Sequence, residues 1–201
     1  MNHIYLYDGM FEKGEAGWPL IKEAAARYSG ELGLGYDIGQ AVICRGENGK
    51  PFFQGIPVEF SLTHSGMMWM CMFSDRPCGL DLELVKENRN YESIAKRKYT
   101  KEEQHYVDLW GSEGFYEIWV RKEAFVKCLG HSIFSEMPNM VGEDGELKEV
   151  LQWEGSTYYM EALGISPEMK CAFCVKEKAQ SDDGSEVQHQ AERGVELRLL
   201  G

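Results

Sequence analysis

The chain has 201 residues, with 21 basic against 33 acidic side chains and a net charge of −12. That balance argues against a nucleic-acid partner, because phosphate neutralisation needs a basic surface. No apolar run reaches the length of a membrane span, and the ordinary apolar content supports a buried core in one domain or two small ones.

In chain order, residues 4–6 read as a first strand and residues 19–28 as a helix with Pro19 in its first turn. Residues 41–44 and 52–53 flank Asn48-Gly49, a strong short hairpin signal. Residues 60–63 alternate like a strand ending at His64, and the continuously apolar stretch 67–73 reads as a core strand. Arg76-Pro77 breaks the chain, and residues 78–85 form the next strand.

Helices are predicted from Tyr91, from Thr100 and over 115–128. Thr100 and Glu103 form a capping box, and Gly130 stops the last stretch. Residues 147–153, 157–163 and 169–175 read as closing strands. Beyond Lys176 the chain turns polar, which predicts a mobile tail over 179–201, with 197–200 as a short docked end. The six cysteines lie in mostly apolar surroundings with no secretory signal before them, which predicts reduced thiols in a cytoplasmic protein. Cys171-x-x-Cys174 reads as part of a buried strand rather than a zinc or redox pair.

Two segments carry most of the chemistry. In Gly79-Leu80-Asp81-Leu82-Glu83, a strand puts both carboxylates on one face, opposite the leucines. In the helical segment starting at Trp119, residues Trp119, Glu123 and Lys127 are four apart and share a face. Three carboxylates and an ammonium can therefore meet. Oxygen-only ligands suit a hard cation such as Mg²⁺, which keeps positions for substrate phosphates. Taken singly, these residues have plainer readings: polar residues on a half-exposed strand, and an ordinary i,i+4 helix pair.

The four elements Asn48-Gly49-Lys50-Pro51, Phe60-Ser61-Leu62-Thr63-His64-Ser65, Gly79-Leu80-Asp81-Leu82-Glu83 and Trp119…Lys122-Glu123…Lys127 occur in order. Together they resemble the signature of the phosphopantetheinyl transferases, in particular the monomeric type that activates surfactin synthetase. The resemblance implies an α+β fold, a pseudo-dimer of two similar α/β subdomains with the active site in the cleft between them. The predicted units are 1–76, 77–178 and the tail 179–201.

The resemblance also implies transfer of the 4′-phosphopantetheine arm of coenzyme A to a serine of an acyl or peptidyl carrier protein, with Mg²⁺ as cofactor. Asp81, Glu83 and Glu123 would bind the metal, with Glu123 and Lys127 catalytic. Arg45, Lys50, His64, Ser65, Lys122 and Lys127 would meet coenzyme A, and Glu103 matches an acidic residue near the site. Few basic residues precede Lys50, so Arg45 is the expected 3′-phosphate clasp. Lys86, Arg89, Lys96, Arg97, Lys98 and Lys101, against only Glu87 and Glu92, form a basic segment suited to an acidic carrier. The alternative is a non-catalytic carrier-binding or assembly protein that keeps the fold.

Overall fold

The computed structural model describes residues 1–87, 90–131, 137–178 and 194–200. Its first half holds β1 (Asn2–Asp8), α1 (Trp18–Glu31), the short hairpin β2 (Ile43–Arg45) and β3 (Pro51–Phe53), β4 (Glu59–Ser65) and β5 (Met68–Ser74). The second holds β6 (Cys78–Leu84), α2 (Tyr91–Lys98), α3 (Lys101–Leu129), β7 (Val150–Trp153), β8 (Ser156–Ala162) and β9 (Met169–Lys176). A last strand, β10 (Val195–Leu199), returns to the first half.

Two four-stranded sheets organise the chain, in the orders β10-β1-β5-β4 and β6-β9-β8-β7. In the first, Tyr5, Trp69, Cys71 and Phe73 face α1 through Ile21, Ala24, Ala25 and Tyr28. In the second, Leu151, Tyr158, Met160 and Cys174 pack on α3 through Phe115, Ile118, Ala124 and Phe125. The alternate residues of both sheets meet each other: Ile4, Met70 and Met72 lie against Leu80, Leu82, Phe173 and Val175. Strands apolar on both faces are required by this arrangement, which explains the unbroken apolar run in β5. The fold is α+β, two similarly built halves joined by their inner sheet faces.

The capping box forms as read: Thr100 Oγ1 accepts from Glu103 N–H, and Glu103 returns a carboxylate oxygen to Thr100 N–H. The two helical stretches expected beyond it run together as α3, interrupted only at Gly111, whose φ of 60° and ψ of −139° break the helix. That backbone conformation suits glycine alone. The docked end expected at 197–200 is part of β10, which pairs in parallel with β1 from Asn2↔Val195 to Leu6↔Leu199. Residues 179–193 lie outside the described residues. No described helix is long and apolar enough to cross a membrane.

Candidate active site

Gly79 sets the distance between β6 and α3. A Cβ built there would lie 1.8 Å from the Ala124 carbonyl oxygen and 2.5 Å from Cys128 N. Only a residue without a side chain lets α3 sit this close. The approach brings the odd-numbered face of β6, with Asp81 and Glu83, under the Glu123 and Lys127 face of α3. The carboxylate face was expected opposite the core; α3 covers it instead, and Asp81 is buried.

Lys127 Nζ donates to Asp81 Oδ1 at 2.7 Å and to the Leu80 carbonyl oxygen at 3.0 Å. Thr63 Oγ1 donates to the same Oδ1 at 3.2 Å. Burial raises the Asp81 pKa, although Lys127 and Thr63 pull it down. Glu123 is pushed up to about 7, first by burial and then by Asp81 and Glu83, with Lys127 opposing. The three carboxylates therefore sense one another across the β6–α3 gap.

Among the described residues no three His, Cys, Asp or Glu side chains are gathered closely enough to hold a metal ion as they stand. Lys127 satisfies one Asp81 oxygen. The donor chemistry still fits a hard cation. Asp81 Oδ2 is buried without a protein hydrogen-bond partner, and mutually repelling carboxylates are relieved by a divalent ion.

A cavity of about 250 Å³ opens on the far side of β4. Its lining includes Phe11, Trp18 and His64, with Lys13 and Arg45 against a single acidic residue, Glu12. The Phe11 and His64 rings lie 5.4 Å apart, and the Arg45 guanidinium stands 6.0 Å over the Trp18 ring. The His64 pKa is lowered by burial, then by Lys13 and by Lys127. His64 thus stands between the basic cavity and the carboxylates. Aromatic walls with cationic groups suit a base carrying phosphate. Lys13 escaped the sequence reading because it lies in a polar loop, Glu12-Lys13-Gly14, with no periodicity or motif to mark it.

The remaining expected residues divide. Lys50 Nζ donates to the Cys78 carbonyl at 3.0 Å and lies 3.7 Å from Glu59, so it bridges the two halves. The Ser65 hydroxyl accepts from Leu84 N–H at 2.9 Å. Lys122 is removed from the cavity altogether. Only 3% exposed, its ammonium contacts Glu103 at 2.8 Å and the Pro138 carbonyl at 3.1 Å. Burial lowers its pKa against the pull of Glu103. In this structure Lys122 neutralises a buried carboxylate and meets no phosphate-binding group of the cavity. Glu103 is likewise a structural group, fully buried and also accepting from Met140 N–H. In the basic segment, Lys86, Lys96, Arg97, Lys98 and Lys101 are exposed, and Arg89 lies outside the described residues.

The family model described as the 4′-phosphopantetheinyl transferase superfamily matches residues 77–189. Among curated relatives, the 4′-phosphopantetheinyl transferase Sfp of Bacillus subtilis (strain 168) is 30% identical over 138 residues, covering 64% of this chain and 60% of Sfp. A second 4′-phosphopantetheinyl transferase of Bacillus subtilis is 28% identical over 165 residues, 77% of this chain and 70% of that protein. AcpT of Salmonella typhi, also a 4′-phosphopantetheinyl transferase, is 37% identical over 93 residues, 43% of this chain and 48% of AcpT. The chain thus spans between about half and 70% of the length of these relatives. The matched stretch contains the β6 carboxylates and the α3 residues that Gly79 brings together, and this chain belongs to the 4′-phosphopantetheinyl transferase superfamily.

Proposed function

We propose that this protein transfers the 4′-phosphopantetheine arm of coenzyme A to a serine of an acyl or peptidyl carrier protein. The observation that supports this best is the juxtaposition of two chemistries around His64. On one side is a basic, aromatic cavity with Lys13 and Arg45; on the other are Asp81, Glu83, Glu123 and Lys127. A nucleotide seated in the cavity directs its pyrophosphate toward the carboxylates.

Arg45 and Lys13 bind the nucleotide phosphate, and Trp18 and Phe11 give the base an apolar wall. His64 contacts phosphate at the cavity mouth. Asp81, Glu83 and Glu123 would hold Mg²⁺, which would neutralise charge developing on the leaving group. Lys127 keeps Asp81 in place and adds positive charge beside the reacting phosphoryl. Glu123 accepts the serine proton. The serine oxygen forms a bond to the phosphorus bearing the pantetheine arm, the pyrophosphate bond breaks, and adenosine 3′,5′-bisphosphate leaves with the electron pair.

The exposed basic side chains of α2 and its flanks offer an acidic carrier protein a rim close to the C-terminal end of β6. The six free cysteines, five of them buried, fit a cytoplasmic setting. Incubation with a fluorescent coenzyme A and an apo carrier protein tests the proposal. Label on the carrier serine, lost when the serine is replaced and dependent on added Mg²⁺, is the expected result. No label with any carrier class under these conditions overturns it.

A further inference from the structure

The carboxylate strand β6 is an edge strand of its sheet, and its outer edge faces β4, the edge strand of the other sheet. The two strands do not pair through their backbones. Instead, three hydroxyls of β4 accept from three backbone N–H groups of β6. Ser61 Oγ accepts from Leu80 N–H at 3.0 Å, Thr63 Oγ1 from Leu82 N–H at 3.2 Å, and Ser65 Oγ from Leu84 N–H at 2.9 Å. Leu80 and Leu82 are buried, so without these hydroxyls their N–H groups would be costly orphans.

Thr63 differs from its two neighbours because it also touches Asp81. Leu82 N–H can only donate, so it uses a lone pair of the threonine oxygen and leaves the hydroxyl proton for Asp81 Oδ1. A β-branched side chain has few χ1 choices, which holds the hydroxyl in line. With Thr63 and Lys127 both on Oδ1, the oxygen with no protein partner is Oδ2. Thr63 is itself buried, shielded from exchange with solvent.

We propose that Thr63 is a positioning residue. It clamps the Asp81 carboxylate so that Oδ2 is presented for a cation, and it ties the half carrying His64 to the half carrying the carboxylates. This rests on the reading of Asp81 as a metal ligand given above. Ser61 supplies an internal comparison, since it makes the same kind of bond to β6 backbone one pleat away from Asp81.

The experiment measures Mn²⁺ binding to the full chain by calorimetry, without coenzyme A or carrier, alongside thermal melts. Thr63→Val keeps the shape and removes the hydroxyl; Thr63→Ser restores it; Ser61→Ala breaks the neighbouring bond. A hydrogen bond that orients a metal-binding side chain typically changes metal affinity by about 10–100-fold, so Thr63→Val is expected to weaken Mn²⁺ binding by about tenfold or more. Thr63→Ser is expected to recover most of that affinity. Ser61→Ala is expected to lower the melting temperature as Thr63→Val does, with Mn²⁺ affinity unchanged. Wild-type affinity in Thr63→Val, or equal weakening in Ser61→Ala and Thr63→Val, overturns the positioning role alone. A wild type that binds no Mn²⁺, or an Asp81→Ala variant that binds it unchanged, overturns the cation reading and this proposal with it.

Discussion

The Lys127 ammonium and the Asp81 carboxylate, from elements 46 residues apart in sequence, form an ion pair at 2.7 Å beneath the β6–α3 contact. Asp81 is 8% exposed and Lys127 30% exposed, so the pair is shielded on the acid side and reachable from solvent on the basic side. Removing one partner of a shielded pair leaves an uncompensated charge, which costs more than the pair itself contributes. Lys127→Ala is therefore expected to lose about 1–3 kcal/mol of stability in urea melts. The double variant Asp81→Ala/Lys127→Ala should recover part of that loss. Additive effects of the two substitutions would show that the pair is not coupled.

Gly79 gives a second prediction. Gly79→Ala puts a methyl group against the backbone at Ala124, not against a flexible side-chain end. The strand and helix must separate, and overpacking of this kind costs about 1–3 kcal/mol or more. A lower melting temperature with a disproportionate loss of transfer activity is expected, because the carboxylates move away from Lys127. A wild-type melt would mean that the β6–α3 spacing is softer than it looks.

The pH dependence of the metal-free protein follows from Glu123. Its folded-state pKa of about 7 lies above the ordinary 4.5, owing to burial, then Asp81 and Glu83. Between those values the folded state binds more protons than the unfolded one, so stability falls as pH rises. Melts in chelator are expected to decline across this window and level off above it. Glu123→Gln should flatten the decline, and added Mg²⁺ should oppose it in the wild type. An unchanged pH profile in Glu123→Gln would assign the decline to another group.

The two substrates should separate kinetically. Lys13→Ala with Arg45→Ala is expected to raise KM for coenzyme A, leaving carrier kinetics nearly untouched. Lys96→Glu with Arg97→Glu is expected to raise KM for the carrier and flatten its salt dependence, since charges at an exposed rim act mainly on association and are screened. Steady-state kinetics at two ionic strengths, varying each substrate in turn, distinguishes the two surfaces. A crossed result would exchange their roles.

Local rules determined much of this protein from its sequence alone. Alternation placed Asp81 and Glu83 together, helical spacing aligned Glu123 with Lys127, Asn48-Gly49 set the β2–β3 turn, and Thr100 with Glu103 opened α3. Each depends on residues within a few positions of one another, so periodicity and turn chemistry suffice. Partner choice across the fold was settled only in three dimensions. Lys122 sits next to Glu123 in sequence, yet one helical position turns it into the core, where Glu103 is its counter-ion. Lys13 entered the cavity because α1 and β4 bring its loop beside Arg45 and His64. The alternating hydroxyls of Ser61, Thr63 and Ser65 are visible in the sequence, but their purpose needs the edge of β6 beside them. Likewise β10 pairs with β1 across the whole length of the chain. Such contacts are selected by which buried donors and charges would otherwise go unpaired, and that depends on the packed whole.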